Sequence, residues 1–598
     1  MRGRNVEKAK DFKGTLKKLL QYISTYKYLI LIVILFAVGS TIFAILGPNI
    51  LGDATTLLFE GLMNKISGTG GIDYSAIAKV LMTLFGIYLV SASFSYIQGF
   101  IMSGVSNKIT YRLRKEISSK IHKLPLSYYD KTTVGDVLSR ITNDVDTIAG
   151  NLHQGITQII TSTVTLIGIL VMMLRISVPM TIVSLIILPI SFVLVITIVG
   201  KSQKYFIRQQ KSLGNINGHI EEMYGNHILV KAFNAEEKET KKFDQLNGEL
   251  YESAWKSQFL SGMMHPIMSF IGNVSYVAVC IMGGYYASKG VITVGNIQSF
   301  IQYVRQFNQP IAQLSQISSI LQQTMAAAER VFEFLDAPEE KKEYNVKSLP
   351  ETIKGEVVFQ HVNFGYQEDK TIIKDFNAKI KPGQTVAIVG PTGAGKTTIV
   401  KLLMRFYECN GTIFIDEIPT KELARNDLRS LFGMVLQDTW LYSGTIKENI
   451  RYGNLNATDE EVIKACELAQ IDHFIRTLSN GYDTQISEDG ESISQGEKQL
   501  LTIARAILAN PKILILDEAT SSVDTRTEIL IQNAMDKLME GRTTFIIAHR
   551  LSTIKNADLI LVMRDGDIVE QGTHDSLLKK DGFYATLYNS QFEEFEEV

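Results

Sequence analysis

The stretch Gly390-Pro391-Thr392-Gly393-Ala394-Gly395-Lys396-Thr397 follows the apolar run Thr385 to Val389 and opens a helical pattern. A strand, a glycine-rich turn and a helix in that succession are what a phosphate-binding loop requires. The glycines let backbone N–H groups close around a β-phosphate, the helix directs its positive end at the anion, and Lys396 adds a point charge. Thr397 would hold Mg2+, and Thr398, the next residue of the helix, is counted with the loop. The chain is therefore expected to bind a nucleoside triphosphate.

Outward from this loop the sequence divides into two unlike parts. Uncharged runs cover Tyr28 to Ile50, Val80 to Asn107, Gln154 to Leu174, Ile176 to Gly200 and Ser257 to Ser288. Each is long enough to cross about 30 Å of hydrocarbon. A sixth, Gly290 to Ala328, is interrupted only by Arg305. Lys and Arg number eight in residues 1–27, eight in 108–150 and nine in 201–256, whereas the alternate segments hold four: Lys65, Lys79, Arg175 and Lys289. The basic segments are expected on the cytoplasmic side, so six spans return the C-terminal half to the ATP pool. The first apolar run is too long for a removable signal and lacks a small-residue cleavage site after it. The formal net charge of −2 gives no indication of a nucleic-acid partner. Cys280, Cys409 and Cys466 have no metal-ligand spacing and are assigned no chemistry.

The expected organisation is a transmembrane domain over 1–328, a linker over 329–350 and a nucleotide-binding domain over 351–598. Phe12, Leu16, Leu19, Leu20 and Ile23 recur at helical spacing among lysines, as in a helix lying on the inner leaflet. The two long cytoplasmic connections are charged and helical, hence stalks, and each has a break in its middle, Leu124 to Tyr129 and Met223 to Asn226. These breaks are candidate docking elements for the ATPase domain. After Gly355, strands over Glu356 to Phe359, Thr385 to Val389, Leu431 to Leu436, Ile513 to Leu516 and Thr544 to Ile547 alternate with helical stretches, which predicts a largely parallel sheet. Residues 454–510 are expected to form a helical subdomain.

Ile513-Leu514-Ile515-Leu516-Asp517-Glu518 is an apolar strand ending in two acids. Beside a phosphate loop, such an Asp supports the Mg2+ shell, and the adjacent Glu can take a proton from attacking water. Further motifs follow in order: Gln437-Asp438 after a strand, Ser494-Gln495-Gly496-Glu497 before a helix, Ser521-Ser522-Val523-Asp524, and Ala548-His549-Arg550. With this set the chain resembles an ATP-binding cassette exporter half-transporter of the multidrug or lipid type over essentially its full length. The resemblance implies an α-helical six-span membrane domain followed by an α/β P-loop nucleotide-binding domain. It also implies an ATPase coupled to transport, with ATP and Mg2+ as cofactors. By the same resemblance Tyr366 stacks on adenine, Gln437 reaches Mg2+ and the attacking water, and Glu518 is the general base. His549 holds the γ-phosphate, Ser494 and Gly496 face the γ-phosphate of a partner's ATP, and Asp524 lies on the loop crossing the dimer interface. The metal set is then Thr397, Gln437 and Asp517.

The chain departs from the family's Leu-Ser-Gly-Gly-Gln signature at Gln495 and Glu497. Gln495 places a side chain where glycine permits close approach, and Glu497 adds negative charge near an anion. Ser487 to Gly490 lacks the family's usual Arg, and Leu500 stands where another is usual. With the loop, Glu518 and His549 intact, the expectation is a heterodimer. This chain would supply one competent site, completed by a second half-transporter with an intact signature. The spans carry Gln98, Asn273, Gln302, Arg305, Asn308 and Gln309, polar groups that face either a cavity or a neighbouring helix; Arg305 and Gln302 are the best cavity candidates. The expected function is ATP-driven export of amphipathic molecules, drugs or lipids across the inner (plasma) membrane by alternating access. A lipid flippase and an ATP-gated regulatory or channel-like protein are the alternatives.

Overall fold

The computed structural model describes residues 10–592, except 342, 344–345, 368, 437–438, 487–492, 518–523 and 549–553. The chain forms two compact units. One holds the residues up to Leu124 and Thr132–Glu339, and the other holds Pro125–Lys131 and the residues from Glu340 on.

The first unit is helical. After α1 (Phe12–Ser24) come α2 (Lys27–Ile66), α3 (Tyr74–Ile121), α5 (Val134–Ser139), a π turn (Arg140–Asp144) and α6 (Val145–Ile176). Then follow α7 (Val178–Gly225), α8 (His227–Ala232), α9 (Glu236–Gly262), α10 (Met264–Ser288) and α11 (Val294–Asp336). Among the described residues four helical segments are long and apolar enough to cross a membrane: Lys27–Ile66, Tyr74–Ile121, Val134–Ile176 and Ser269–Ser288. Large apolar side chains such as Leu35, Phe85, Phe100, Ile167 and Ile281 lie exposed along them. That suits hydrocarbon as the surrounding solvent, since exposed apolar stripes of this extent are rare in water.

With lipid outside, helices gain little from burying apolar surface against one another, so close backbone approach and hydrogen bonds carry the association. The crossing of α2 and α11 shows both. A Cβ added to Gly295 would stand 1.8 Å from the Gly52 carbonyl oxygen, so the two backbones touch at a distance only glycine permits. Pro48 removes one N–H from α2. At that level Ser299 Oγ donates to the Pro48 carbonyl at 2.8 Å and Tyr303 Oη to the Ile45 carbonyl at 2.8 Å. Gly295→Val is expected to cost about 1–3 kcal/mol through overpacking, read as a lower thermal midpoint of the extracted protein; an unchanged midpoint would refute so close a crossing. Elsewhere in the same unit, the buried carboxylate of Asp144 takes a two-pronged ion pair from Arg330, one prong at 2.8 Å, tying the π turn to α11.

The second unit is α/β. Besides α4 (Leu126–Tyr129) it contains β1 (Val357–Phe364), β2 (Ile373–Ile380), β3 (Thr385–Val389), α12 (Lys396–Leu403), β4 (Asn410–Ile415), β5 (Ile418–Pro419), α13 (Arg425–Ser430) and β6 (Phe432–Val435). Next come β7 (Gly444–Thr445), α14 (Ile446–Arg451), α15 (Asp459–Leu468), α16 (Asp472–Thr477), β8 (Gln485–Ile486) and α17 (Gln495–Ala509). The unit ends with β9 (Ile513–Asp517), α18 (Thr525–Met539), β10 (Thr543–Ile547), β11 (Leu559–Arg564), β12 (Asp567–Gly572), α19 (His574–Lys579) and α20 (Phe583–Phe592).

A six-stranded sheet has the order β12-β11-β3-β10-β9-β6, parallel except for β12. The expectation of one largely parallel sheet needs a correction. The strand foreseen at Glu356 to Phe359 belongs to a separate antiparallel sheet, β2-β1-β4-β5. The reason lies in its burial: β2 alternates buried and exposed residues, the pattern of a sheet with one wet face, while β3, β9 and β10 are buried almost throughout. Phe359, Phe376 and Phe545 fill the space between the two sheets, edge to face at 5.1 and 6.4 Å.

Candidate nucleotide site

The parallel register brings the ends of four strands to one edge. Ile388 pairs with Ile547, Ile547 pairs with Asp517, and Leu516 pairs with Val435, so β3, β10, β9 and β6 end at nearly one level. The residues that follow those ends in the sequence are the loop from Gly390, then Ala548 and His549, then Glu518, and then Gln437. The carboxyl ends of parallel strands are where α/β sheets present ligand-binding groups. Glu518, His549 and Gln437 themselves lie outside the described residues, as do Ser487 to Gly490.

The glycine-rich segment runs from the end of β3 to the first turn of α12. Gly395, with φ of +100°, is the residue before the helix, and this left-handed backbone is what calls for glycine; a Cβ there would lie 2.6 Å from Ile373 Cδ1. Gly390 and Gly393 also have positive φ, while Ala394 is buried and Pro391 and Thr392 are exposed. Lys396 Nζ folds back over the loop, donating to the carbonyls of Gly390 at 2.7 Å and Pro391 at 3.2 Å. Burial pushes its ammonium below the ordinary lysine range, while the charge of Asp517 acts in the opposite direction. Thr397 is exposed at the helix start; Thr398 is buried, its hydroxyl 3.3 Å from that of Tyr366.

Tyr366 stands in an aromatic cluster. Its ring lies 5.0 Å from Phe364 and 5.1 Å from Tyr407, both edge-on or nearly so. Lys401 Nζ sits 5.6 Å above the Tyr366 ring and 5.9 Å above that of Tyr407. The Tyr407 hydroxyl in turn donates to the carboxylate of Asp130, the residue that closes α4. Thus the short helix in the connection between α3 and α5 is joined, through one tyrosine, to the ring foreseen as the adenine platform. The break at Leu124 to Tyr129 was visible in the sequence; Tyr407 and Asp130 were not, because nothing local to either residue signals a partner hundreds of positions away.

Residues 30–311 match the family described as ABC transporter transmembrane region, and residues 373–521 the family described as ABC transporter. Over 96% of its length the chain is 44% identical to a protein of Mycobacterium tuberculosis named as a fatty acid ABC transporter ATP-binding/permease protein, of which it covers 96%. The chain belongs to the ABC exporter family. An ATP-dependent lipid A-core flippase of Syntrophus aciditrophicus is 36% identical over 85% of the exporter chain and 84% of the flippase. A bacterial Atm1-family ABC exporter solved with ATP bound superposes with a TM-score of 0.70 at 28% identity, covering 95% of this exporter and 99% of that chain. The exporter is accordingly a multi-pass membrane protein that binds ATP and couples its hydrolysis to transport. Exporters of this family act as dimers in a lipid bilayer.

The exporter's signature segment begins α17. Ser494 is the N-cap, and with Glu497 it forms a reciprocal capping box. The Glu497 N–H donates to Ser494 Oγ at 3.4 Å, and the Glu497 carboxylate accepts from the Ser494 N–H and hydroxyl, both at 2.8 Å. The S-x-x-E spacing carries that cap in its sequence signal, so Glu497 has a structural task besides adding charge. Gln495 is exposed and its amide donates to Thr439 Oγ1 at 3.2 Å, linking the signature to the segment after Gln437. Gly496 is buried. Leu500, in a position where the family usually has Arg, is buried in the core between α17 and its neighbours. Asp524 caps α18 by accepting from the Thr527 N–H at 3.0 Å, and this backbone hydrogen bond holds its carboxyl below the ordinary aspartate range.

Proposed function

We propose that this chain is one half of an ATP-driven exporter that moves amphipathic molecules, drugs or lipids outward across the inner (plasma) membrane by alternating access. Six spans, formed by α2, α3, α6, α7, α10 and α11, would make up its membrane half. The observation that carries the reading is the connection from the strand-end site through Tyr366 and Tyr407 to Asp130 of α4, which gives the nucleotide edge a handle on a cytoplasmic connection between spans.

Gly390 to Thr398 cradle the phosphates, Lys396 turns its ammonium from the loop carbonyls toward them, and Tyr366 stacks on adenine. The positive φ values of the glycines and the desolvated lysine fit a polyanion at this place. Thr397, Gln437 and Asp517 fit a hard divalent cation, since all three offer oxygen. Mg2+ bound there would neutralise phosphate charge. Glu518 accepts the proton of the attacking water and His549 holds the γ-phosphate.

The partner is proposed to be a different half-transporter. The Ser494 hydroxyl is donated to Glu497 and the Gln495 amide to Thr439, so this signature engages its own chain where the family's glycine-rich form offers free donors to a partner's phosphate. Reconstitution in defined liposomes tests the export reading: ATP-dependent movement of an amphiphile supports it, and passive flux without ATP turnover would favour a gated channel instead. The mass of the complex taken from its native membrane tests the pairing. A fully active homodimer would overturn it.

A further inference from the structure

The helix α11 separates its residues into two faces. Phe300 and Tyr303 are fully buried and Pro310 is buried as well, forming one stripe at helical spacing. Gln302, Arg305, Gln306 and Gln309, also at helical spacing, form another stripe, on which Arg305, Gln306 and Gln309 are exposed. Arg305 is the one charged residue between Gly290 and Ala328. It lies eleven residues into α11 from Val294, roughly 16 Å along the axis at 1.5 Å per residue. In a span about 30 Å long that is close to the middle.

An arginine at such depth faces a cavity or an interior rather than lipid tails, and calls for a partner. Among the described residues no carboxylate pairs with it. Its guanidinium lies 5.5 Å from the ring centroid of Tyr276 on α10, itself partly exposed, which holds the fork in place without neutralising it. A planar five-donor fork with unspent charge matches an oxyanion in two-pronged fashion. A cationic head would be repelled, and a neutral one would leave the charge uncompensated in a low-dielectric setting.

We infer that Arg305, steadied by Tyr276 and flanked by Gln302 and Gln309, is the recognition site for the oxyanion head of an anionic amphiphile, a carboxylate or phosphate on an apolar tail. This rests on the export reading, because it takes α11 as a span lining the cargo path. The names of the mycobacterial and flippase relatives, which mention fatty acid and lipid A-core, point to the same class of head group.

The test uses the complete complex containing this chain, reconstituted in vesicles of neutral lipid. Binding is measured for oleate, oleyl phosphate, oleyl alcohol and oleylamine, which differ only in the head. The unsubstituted protein is expected to bind at least one of the two anions tenfold or more tightly than the alcohol. Preference for oleate alone indicates a fatty-acid source, and for oleyl phosphate alone a phospholipid source. Arg305→Gln is expected to erase the anion preference while oleyl alcohol binds as before, and Arg305→Lys to restore part of it. Equal affinities for all four heads on the unsubstituted protein, or an undiminished preference in Arg305→Gln, would overturn the inference. ATP-driven movement is followed in the same vesicles. Movement of the alcohol as readily as the anions overturns the site while leaving export standing; an anion preference without ATP-driven movement of any of the four overturns export while supporting the site.

Discussion

Glu518→Gln is expected to slow ATP hydrolysis by roughly 10²–10⁴-fold, the usual contribution of a positioned general base. Glu518 follows Asp517, the last residue of β9, whose register places it level with Ile547 and hence with the end of β3. Glutamine keeps the shape and one acceptor but cannot take the proton of the attacking water. The proposed ATP contacts, made by Gly390 to Thr398 and Tyr366, are untouched, so nucleotide should still bind and the cassettes should accumulate in their closed pairing. The measurement is turnover at saturating ATP together with the ATP retained per complex. Turnover within twofold of the unsubstituted protein would remove Glu518 from the role of base. In a heterodimer with one competent site that whole factor should show in the turnover of the complex, because no second base stands in reserve.

Lys396→Met should act on the earlier step. Removing the ammonium deletes charge-assisted hydrogen bonds to phosphate worth about 1.5–3 kcal/mol, a loss of roughly ten- to a hundredfold in ATP affinity. Methionine retains the length and apolar stem, so packing at the start of α12 should persist. The burial that depresses the Lys396 ammonium also makes it a stronger partner for an anion, since little water competes. Equilibrium binding of a labelled nucleotide reads the effect, and an unchanged affinity would mean that the glycine-rich turn is not where the phosphates lie.

Much of the second unit could be read in advance, and for a common reason. Val386 to Val389, Ile513 to Leu516 and Phe545 to Ile547 are unbroken apolar runs because both faces of their sheet are covered. Such runs stand out, as does a glycine-rich turn following one of them. The antiparallel sheet was harder. Val357 to Phe364 and Ile373 to Ile380 mix buried residues with exposed Gln360, His361, Asp375 and Asn377, and their mutual pairing depends on partners that no local pattern names. Within the site, the loop and the acid-ended strand were legible because each is a contiguous motif. The capping box of Ser494 and Glu497 is equally contiguous, but the same Glu also reads as a charge near phosphate, and spacing alone does not separate the two roles. Tyr407, Asp130 and the contact of Gln495 with Thr439 had no signal of their own, for they are meetings of distant segments. In the first unit the apolar runs announced membrane-spanning helices, whereas the Gly52–Gly295 contact emerges only when α2 and α11 are laid together.

The hydrogen bond from Tyr407 to Asp130 has a thermodynamic corollary. If nucleotide settling against Tyr366 shifts the position of α4, and α4 belongs to the connection between α3 and α5, then work passes through a joint with no preferred direction. Linkage requires that whatever factor ATP imposes on cargo affinity through this joint, cargo imposes on ATP affinity in return. The exporter is then also a sensor: the occupancy of its membrane half can be read, without any transport assay, as a shift in the nucleotide concentration that half-saturates its cassettes.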